Sequence, residues 1–243
     1  MRLRRIGERT RKGRERGVTE LGAESAARRR NASGESTRVM LMEVAERLFA
    51  TRGIEAVTLR EIQQAAGQSN TSVIRYHFGS REGLIRALIS YRQTSLGVDR
   101  RAMLASMRED GKDADPRAVV WLLVRPLANS IAAGEMFVPF LARLSEDPRA
   151  RSDYWPDHVD DEWTQEKVEG LVDAALQDLP ERIRRGRTFQ LYISLITVLA
   201  ASARSGHGLS EAQLHNYVDT WVGMLTAPVS YETRALIAER EDN

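Results

Sequence analysis

The sequence predicts an all-α protein, with an N-terminal three-helix helix-turn-helix unit followed by a larger helical domain. Three observations predict this. Apolar residues recur at helical spacing through most of the chain, with no sustained alternation and no Asn-Gly hairpin. Residues 58–81, TLREIQQAAGQSNTSVIRYHFGSR, read as a short helix, a tight turn and a second short helix. Two stretches near the C-terminus are apolar on nearly every helical face.

Taken in order, Asn31–Thr37 reads as a polar linker ending in an N-cap, ahead of a helix over 38–51 with Leu41, Val44, Ala45, Leu48 and Phe49 on one face. Gly53 suits the left-handed residue after that helix. Thr58 caps the next helix, and Glu61 three residues on completes a capping box. After Ala66-Gly67, Ser69 is expected to cap a short helix with Val73 and Ile74 inward, and Ser80 to cap a longer one. Further helices are expected at 81–107, 116–134, 136–146, 160–178, 181–205 and 209–226. Asp115-Pro116 fits an N-cap followed by proline at the first helical position, and Pro126 is expected to kink its helix. The domain division is then a basic arm over 1–36, the helix-turn-helix unit over 37–82, a helical domain over 83–228 and a tail over 229–243.

Composition limits the function classes. The 243-residue chain has 42% hydrophobic and 29% charged residues, ordinary for a soluble globular protein. It contains no apolar run long enough for a membrane helix, so no membrane partner is expected. The absence of cysteine removes disulfides and thiolate metal sites and fits a reducing cytoplasm. Residues 1–30 hold eleven Lys or Arg against four Glu, a net of +7, which leaves the remaining residues at −5 within the total of +2. The arm either touches phosphate or is a disordered leader.

The helix-turn-helix segment carries the chemistry. Glu61 and Glu82 bracket it, and no acidic residue lies between them. Gln68, Asn70, Thr71, Arg75 and Tyr76 are the candidates for reading base edges, because Arg can pair bidentately with guanine, and Gln or Asn with adenine. Ser69 and Ser72 complete the polar set. Double-stranded DNA is therefore the expected partner.

In the C-terminal pair, Tyr192, Leu195, Leu199, Leu214, Tyr217, Val218, Trp221 and Leu225 are expected to form a dimer interface, two helices from each subunit making a four-helix contact. Trp121, Phe137, Trp155, Trp163 and Phe189 could line a pocket for a small apolar effector, or serve as core. The acidic, aromatic stretch Asp153–Asp161 matches no metal loop and reads as a solvated connection. The four histidines are scattered, and there is no H-E-x-x-H pair, G-x-S-x-G elbow or phosphate-binding glycine loop. No enzyme activity, cofactor or metal is expected. The alternatives are an architectural DNA-binding protein without ligand control and a small all-α enzyme.

Over residues 38–89 the sequence resembles the tetracycline-repressor (TetR) family of bacterial transcriptional regulators. The residues that carry the resemblance are Ala45-Glu-Arg-Leu-Phe49, Gly53, Thr58-Leu-Arg-Glu-Ile62, Ala66-Gly67, His77-Phe78 and Ser80-Arg-Glu-Gly-Leu84. The spacing from Ala66-Gly67 to His77-Phe78 is one residue longer than the commonest family pattern, and Arg75 stands where that pattern usually has Tyr. The resemblance implies a cytoplasmic repressor that binds a palindromic operator as a homodimer. It also implies phosphate contacts from Thr58, His77 and Arg81. A small molecule among the C-terminal helices would displace the protein from DNA by tilting the helix that starts at Ser80.

Overall fold

A computed structural model describes residues 32–70, 72–146, 153–154, 165–206 and 208–241. Residues 1–31 of the basic arm, Thr71, Trp155, Trp163 and His207 lie outside the described residues, as does most of the acidic stretch 153–161. Ten helices are labelled here among the described residues, and there is no strand among them.

Helix α1 (32–52) begins inside the segment expected to be a linker. Thr37 does not cap it. Its hydroxyl donates back to the Ser33 carbonyl at 2.9 Å, and Glu35 pairs with Arg38 across one turn. Polar residues that bond within a helix can lengthen it as readily as cap it. Leu41, Ala45 and Phe49 of α1 meet Ile62 of α2 (Leu59–Ala65), Val73 and Ile74 of α3 (Val73–Phe78) and Leu84, Ile85 and Leu88 of α4 (Arg81–Glu109) in one core. Each buried Leu, Ile, Val or Phe side chain there contributes about 1.5–3 kcal/mol.

The 29-residue helix α4 leaves this unit and continues into the second domain without a break. Its start is fixed by Ser80, whose hydroxyl accepts from the Gly83 amide at 3.1 Å, as expected from sequence. Gly83 has a second duty. A Cβ there would overlap the Phe78 carbonyl, so only glycine lets α3 lie this close to α4.

Helix α5 (Pro116–Ala132) opens on the expected Asp115 cap, which accepts from the amides of Arg117 and Ala118. Pro126 sits inside this helix. Lacking an N–H, it leaves the Leu122 carbonyl without its usual intrahelical donor. Helix α6 (Phe137–Leu144) packs on α8 (Glu181–Ser205), and α7 (Gln165–Ala175) packs on α5 and α8. Helix α9 (Glu211–Thr226), capped by a Ser210–Gln213 box, lies on α5 and α8. The Arg125 guanidinium grips Glu211 at 2.6 and 2.9 Å across the α5–α9 seam, and Trp221 donates to the Ser194 hydroxyl at 2.9 Å across the α8–α9 seam.

The expected tail is largely helical. Helix α10 (Tyr231–Glu241) starts where the Ser230 hydroxyl accepts from the Thr233 amide at 3.2 Å. The run that follows is rich in Ala, Leu, Glu and Arg, good helix formers.

A buried polar network joins the two domains. Glu46 of α1 and Glu135, in the α5–α6 turn, converge on Arg92 of α4. Ser130 donates to Glu135 at 2.5 Å, and the Met136 amide donates to Glu46 at 2.9 Å. Each charged group thus gains hydrogen bonds as well as an opposite charge, which burial demands.

Candidate nucleic-acid interface

The frame of the site begins at α2. The Thr58 amide and hydroxyl both donate to Glu61 Oε2, at 2.7 and 2.8 Å, and the hydroxyl accepts from the Glu61 amide at 3.2 Å. Arg52 of α1 completes the frame, donating to Glu61 Oε1 at 2.8 Å and to the Ala56 carbonyl at 3.0 Å. The Thr58 amide, Arg52 and the Thr58 hydroxyl together hold the Glu61 carboxyl at about 2. The capping box is therefore formed as expected. Thr58 has its only hydroxyl proton committed to Glu61, so it serves this site by shaping the helix start.

The turn after α2 is pinned by a residue that the sequence did not single out. Gln63 is buried, and its amide donates to the Gln68 carbonyl at 3.0 Å while the Gln68 amide donates to the Gln63 carbonyl at 3.0 Å. A glutamine beside Ile62 on the inward face of α2 was the available signal. Gly67 takes φ of +65° and makes the turn. Ser69 does not cap α3. Ser72 occupies the N-cap position without a side-chain bond, and the Ser72 amide donates to Asn70 Oδ1 at 2.9 Å. That Asx-type turn competes with a helix start at Ser69 and delays α3 to Val73. This bond orients the Asn70 amide, which lies exposed at the start of α3.

Helix α3 has two faces. Val73 and Ile74 point into the core, while Arg75 and Tyr76 stand outside, Tyr76 with 83% of its surface exposed. His77 is half-buried, its ring edge-on to Tyr76 at 4.9 Å between centroids. Phe78 turns back towards α1, where the Arg38 guanidinium lies 5.5 Å from its ring centre. Gly79, at φ of +75°, closes the helix and sets the angle to α4. The outward surface therefore comprises half-buried Gln68 and exposed Ser69, Asn70, Ser72, Arg75 and Tyr76.

Arg81 faces the other way. Its terminal nitrogens donate to the carbonyls of Val57, at 2.6 Å, and Ile54, and its guanidinium lies 5.4 Å from the Phe49 ring centre. It clamps the start of α4 to the α1–α2 connection. Glu82, at the edge of the site, stays ionised. The Ser80 hydroxyl, its own backbone and neighbouring arginines hold its carboxyl below the usual range.

The second domain redistributes the remaining candidates. Leu195, Leu199, Leu214, Val218, Trp221 and Leu225 are all buried within a single chain, in its own core. Tyr192 and Tyr217 are half-buried against the same core. Phe189, expected in a pocket, is instead 67% exposed, with Ile193 exposed one turn further along α8. Phe137 is fully buried, stacked 6.2 Å from Phe140. Trp121 is held between Arg125, 4.6 Å from its ring centre, and His215, 4.8 Å away, in the α5–α9 seam. Periodicity identifies an apolar face but not what covers it.

Among the described residues no group of three His, Asp or Glu side chains is placed to hold a metal ion. No helix among them is long and apolar enough to cross a membrane.

Residues 41–88 match the sequence profile of bacterial regulatory proteins of the tetR family. The HTH-type transcriptional repressor AcnR of Corynebacterium glutamicum is 29% identical over 182 residues, covering 72% of this chain and 88% of that protein. AcnR of Corynebacterium efficiens is 29% identical over 125 residues, 51% of this chain and 58% of that one. The crystal structure of a γ-butyrolactone receptor (ArpA-like protein) aligns with 80% of this chain and 97% of its own, at 18% identity and a TM-score of 0.47. The profile match falls on α1 to α4, which carry the outward, acid-free surface from Gln68 to Tyr76, and over these residues the chain is similar to the tetR family of bacterial regulatory proteins.

Proposed function

We propose that this chain is a repressor that binds a palindromic operator as a homodimer, and that a small molecule among its C-terminal helices releases it. The observation that carries the DNA part is the outward pair Arg75 and Tyr76 on α3, presented by a helix whose start, turn and inner face are all fixed within the protein. Arg75 faces solvent with no acidic partner among the described residues, which leaves its guanidinium available for a guanine edge. Gln68, Ser69, Ser72, Tyr76 and half-buried His77 supply the remaining base and backbone contacts, together with the Asn70 amide.

The dimer rests on the outer stripe of α8. Phe189, Ile193, Thr197 and Ala201 are exposed at four-residue intervals on one face, the spacing with which one helix packs against another. In this proposal residues 37–82 contact DNA in the cytoplasm, residues 83–228 bind the effector and the second subunit, and α4 crosses between the two parts.

The deciding experiment is selection of bound sites from random-sequence DNA with the purified full-length protein. An inverted repeat whose half-sites are separated by one helical turn or a multiple of it is expected. Recovery of a sequence-blind pool would favour an architectural role instead.

A further inference from the structure

We infer that Arg100, on the inner face of α4, is the anchor of a binding site for a small anionic effector, a carboxylate or a phosphate. The inference rests on reading the C-terminal helices as an effector domain, and it specifies the ligand chemistry of that domain.

Two arginines of α4 are buried, and they are treated differently. Arg92 faces two carboxylates, Glu46 and Glu135. Arg100 is 8% exposed, yet no carboxylate among the described residues pairs with it. Among the described residues its one hydrogen bond runs from Nη1 to the Gln93 side-chain oxygen at 3.1 Å, and its Nε–H is buried without an acceptor. A guanidinium cannot escape this by losing its proton, because its ordinary pKa is too high for the downward push of burial to neutralise it. A buried cation without a counter-charge costs stability, and such a cost is retained where a ligand removes it.

The surroundings suit an anion with a small apolar body. Leu96 and Met107 are buried on the same face of α4, and Met103 and Leu104 are half-buried there. Gly97 is buried one turn before Arg100 on the same helix. Tyr192 of α8 is close enough for its phenol to act on the Arg100 charge. The Nε–H and the outer Nη–H offer two parallel donors, the geometry that a carboxylate or phosphate accepts bidentately.

The test uses the full-length protein without DNA, so it can succeed or fail independently of operator release. Melting temperature is measured with acetate, hexanoate, benzoate, inorganic phosphate and the uncharged hexanamide, for the wild type, Arg100→Met and Arg100→Lys. At about a hundred times its Kd, a binding anion should raise the wild-type melting temperature by roughly 5–10 °C. Hexanamide should have no effect, Arg100→Met should abolish the response, and Arg100→Lys should retain a weakened one. Without ligand, Arg100→Met should melt at or above the wild-type temperature, because a strained charge has been removed. A response to phosphate alone would assign the site to an inorganic oxyanion, and a response to the organic acids alone to a carboxylate. The inference is overturned if no anion shifts the wild type, or if Arg100→Met responds as the wild type does.

Discussion

Arg92 of α4 holds the Glu46 carboxylate of α1 with two bonds of its guanidinium, Nε to Oε2 at 2.6 Å and Nη2 to Oε1 at 3.0 Å. Both side chains are almost wholly buried. Burial pushes the Glu46 carboxyl up, while the Arg92 hydrogen bonds and charge and the Met136 amide pull it down. Breaking the pair strands a charge. Glu46→Gln should cost about 3 kcal/mol, at the low end for a buried pair because Glu135 still faces the guanidinium. The double replacement Glu46→Leu with Arg92→Met should recover most of that loss. Urea denaturation checks both, and a double variant no better than the single one would show that the charge was not the cause.

Glu61 gives the fold an acid limit. Its carboxyl titrates at about 2 in the folded chain against an ordinary value of 4.5, so the unfolded chain takes up the proton first. The stability it contributes is present above about pH 4.5 and is lost as pH falls towards 2. Melting temperatures of the wild type should therefore fall across that window more steeply than those of Glu61→Gln. Parallel curves would remove Glu61 as the source.

Arg75→Ala should weaken operator binding by about 1–3 kcal/mol and relax preference at one position of each half-site. Binding measured against a set of single-base operator variants distinguishes the roles. An equal loss on every sequence would make Arg75 a phosphate contact.

Arg81→Gln should behave in the opposite way. Two buried carbonyls lose charge-assisted donors, which costs roughly 1.5–3 kcal/mol of stability for each bond not replaced. Below the melting transition, the slope of log binding constant against log salt should stay unchanged. A drop in that slope of about one unit would restore the phosphate role.

Phe189→Glu should convert the proposed dimer to monomer in sedimentation while leaving the melting temperature of the monomer core close to that of the wild type. The residue is exposed in the single chain, so the substitution disturbs only what packs outside it. An unchanged sedimentation profile would move the interface elsewhere.

The sequence made the helix starts legible wherever one residue and its near neighbours decide them. Thr58, Ser80 and Asp115 cap as their local chemistry requires. The α3 start was misread because Asn70, with no bearing on periodicity, folds its side chain onto the Ser72 amide. Leu195 and Leu199 read as interface because an all-round apolar helix does not say which neighbour covers which face; α6 and α9 take the inner ones. The Arg81 clamp and the Arg92 network join residues that are 24 to 46 positions apart, beyond the reach of any local pattern.

Because α4 is one unbroken rod, its pinning points act as mechanical supports. Arg92 sits about 18 Å along the axis from Ser80 and about 12 Å from Arg100, at 1.5 Å per residue. If α4 tilts as a rigid rod about Arg92, each ångström of sideways travel at Arg100 becomes about 1.5 Å at Ser80, where α3 is attached. The placement of one buried arginine then sets the gain of the lever.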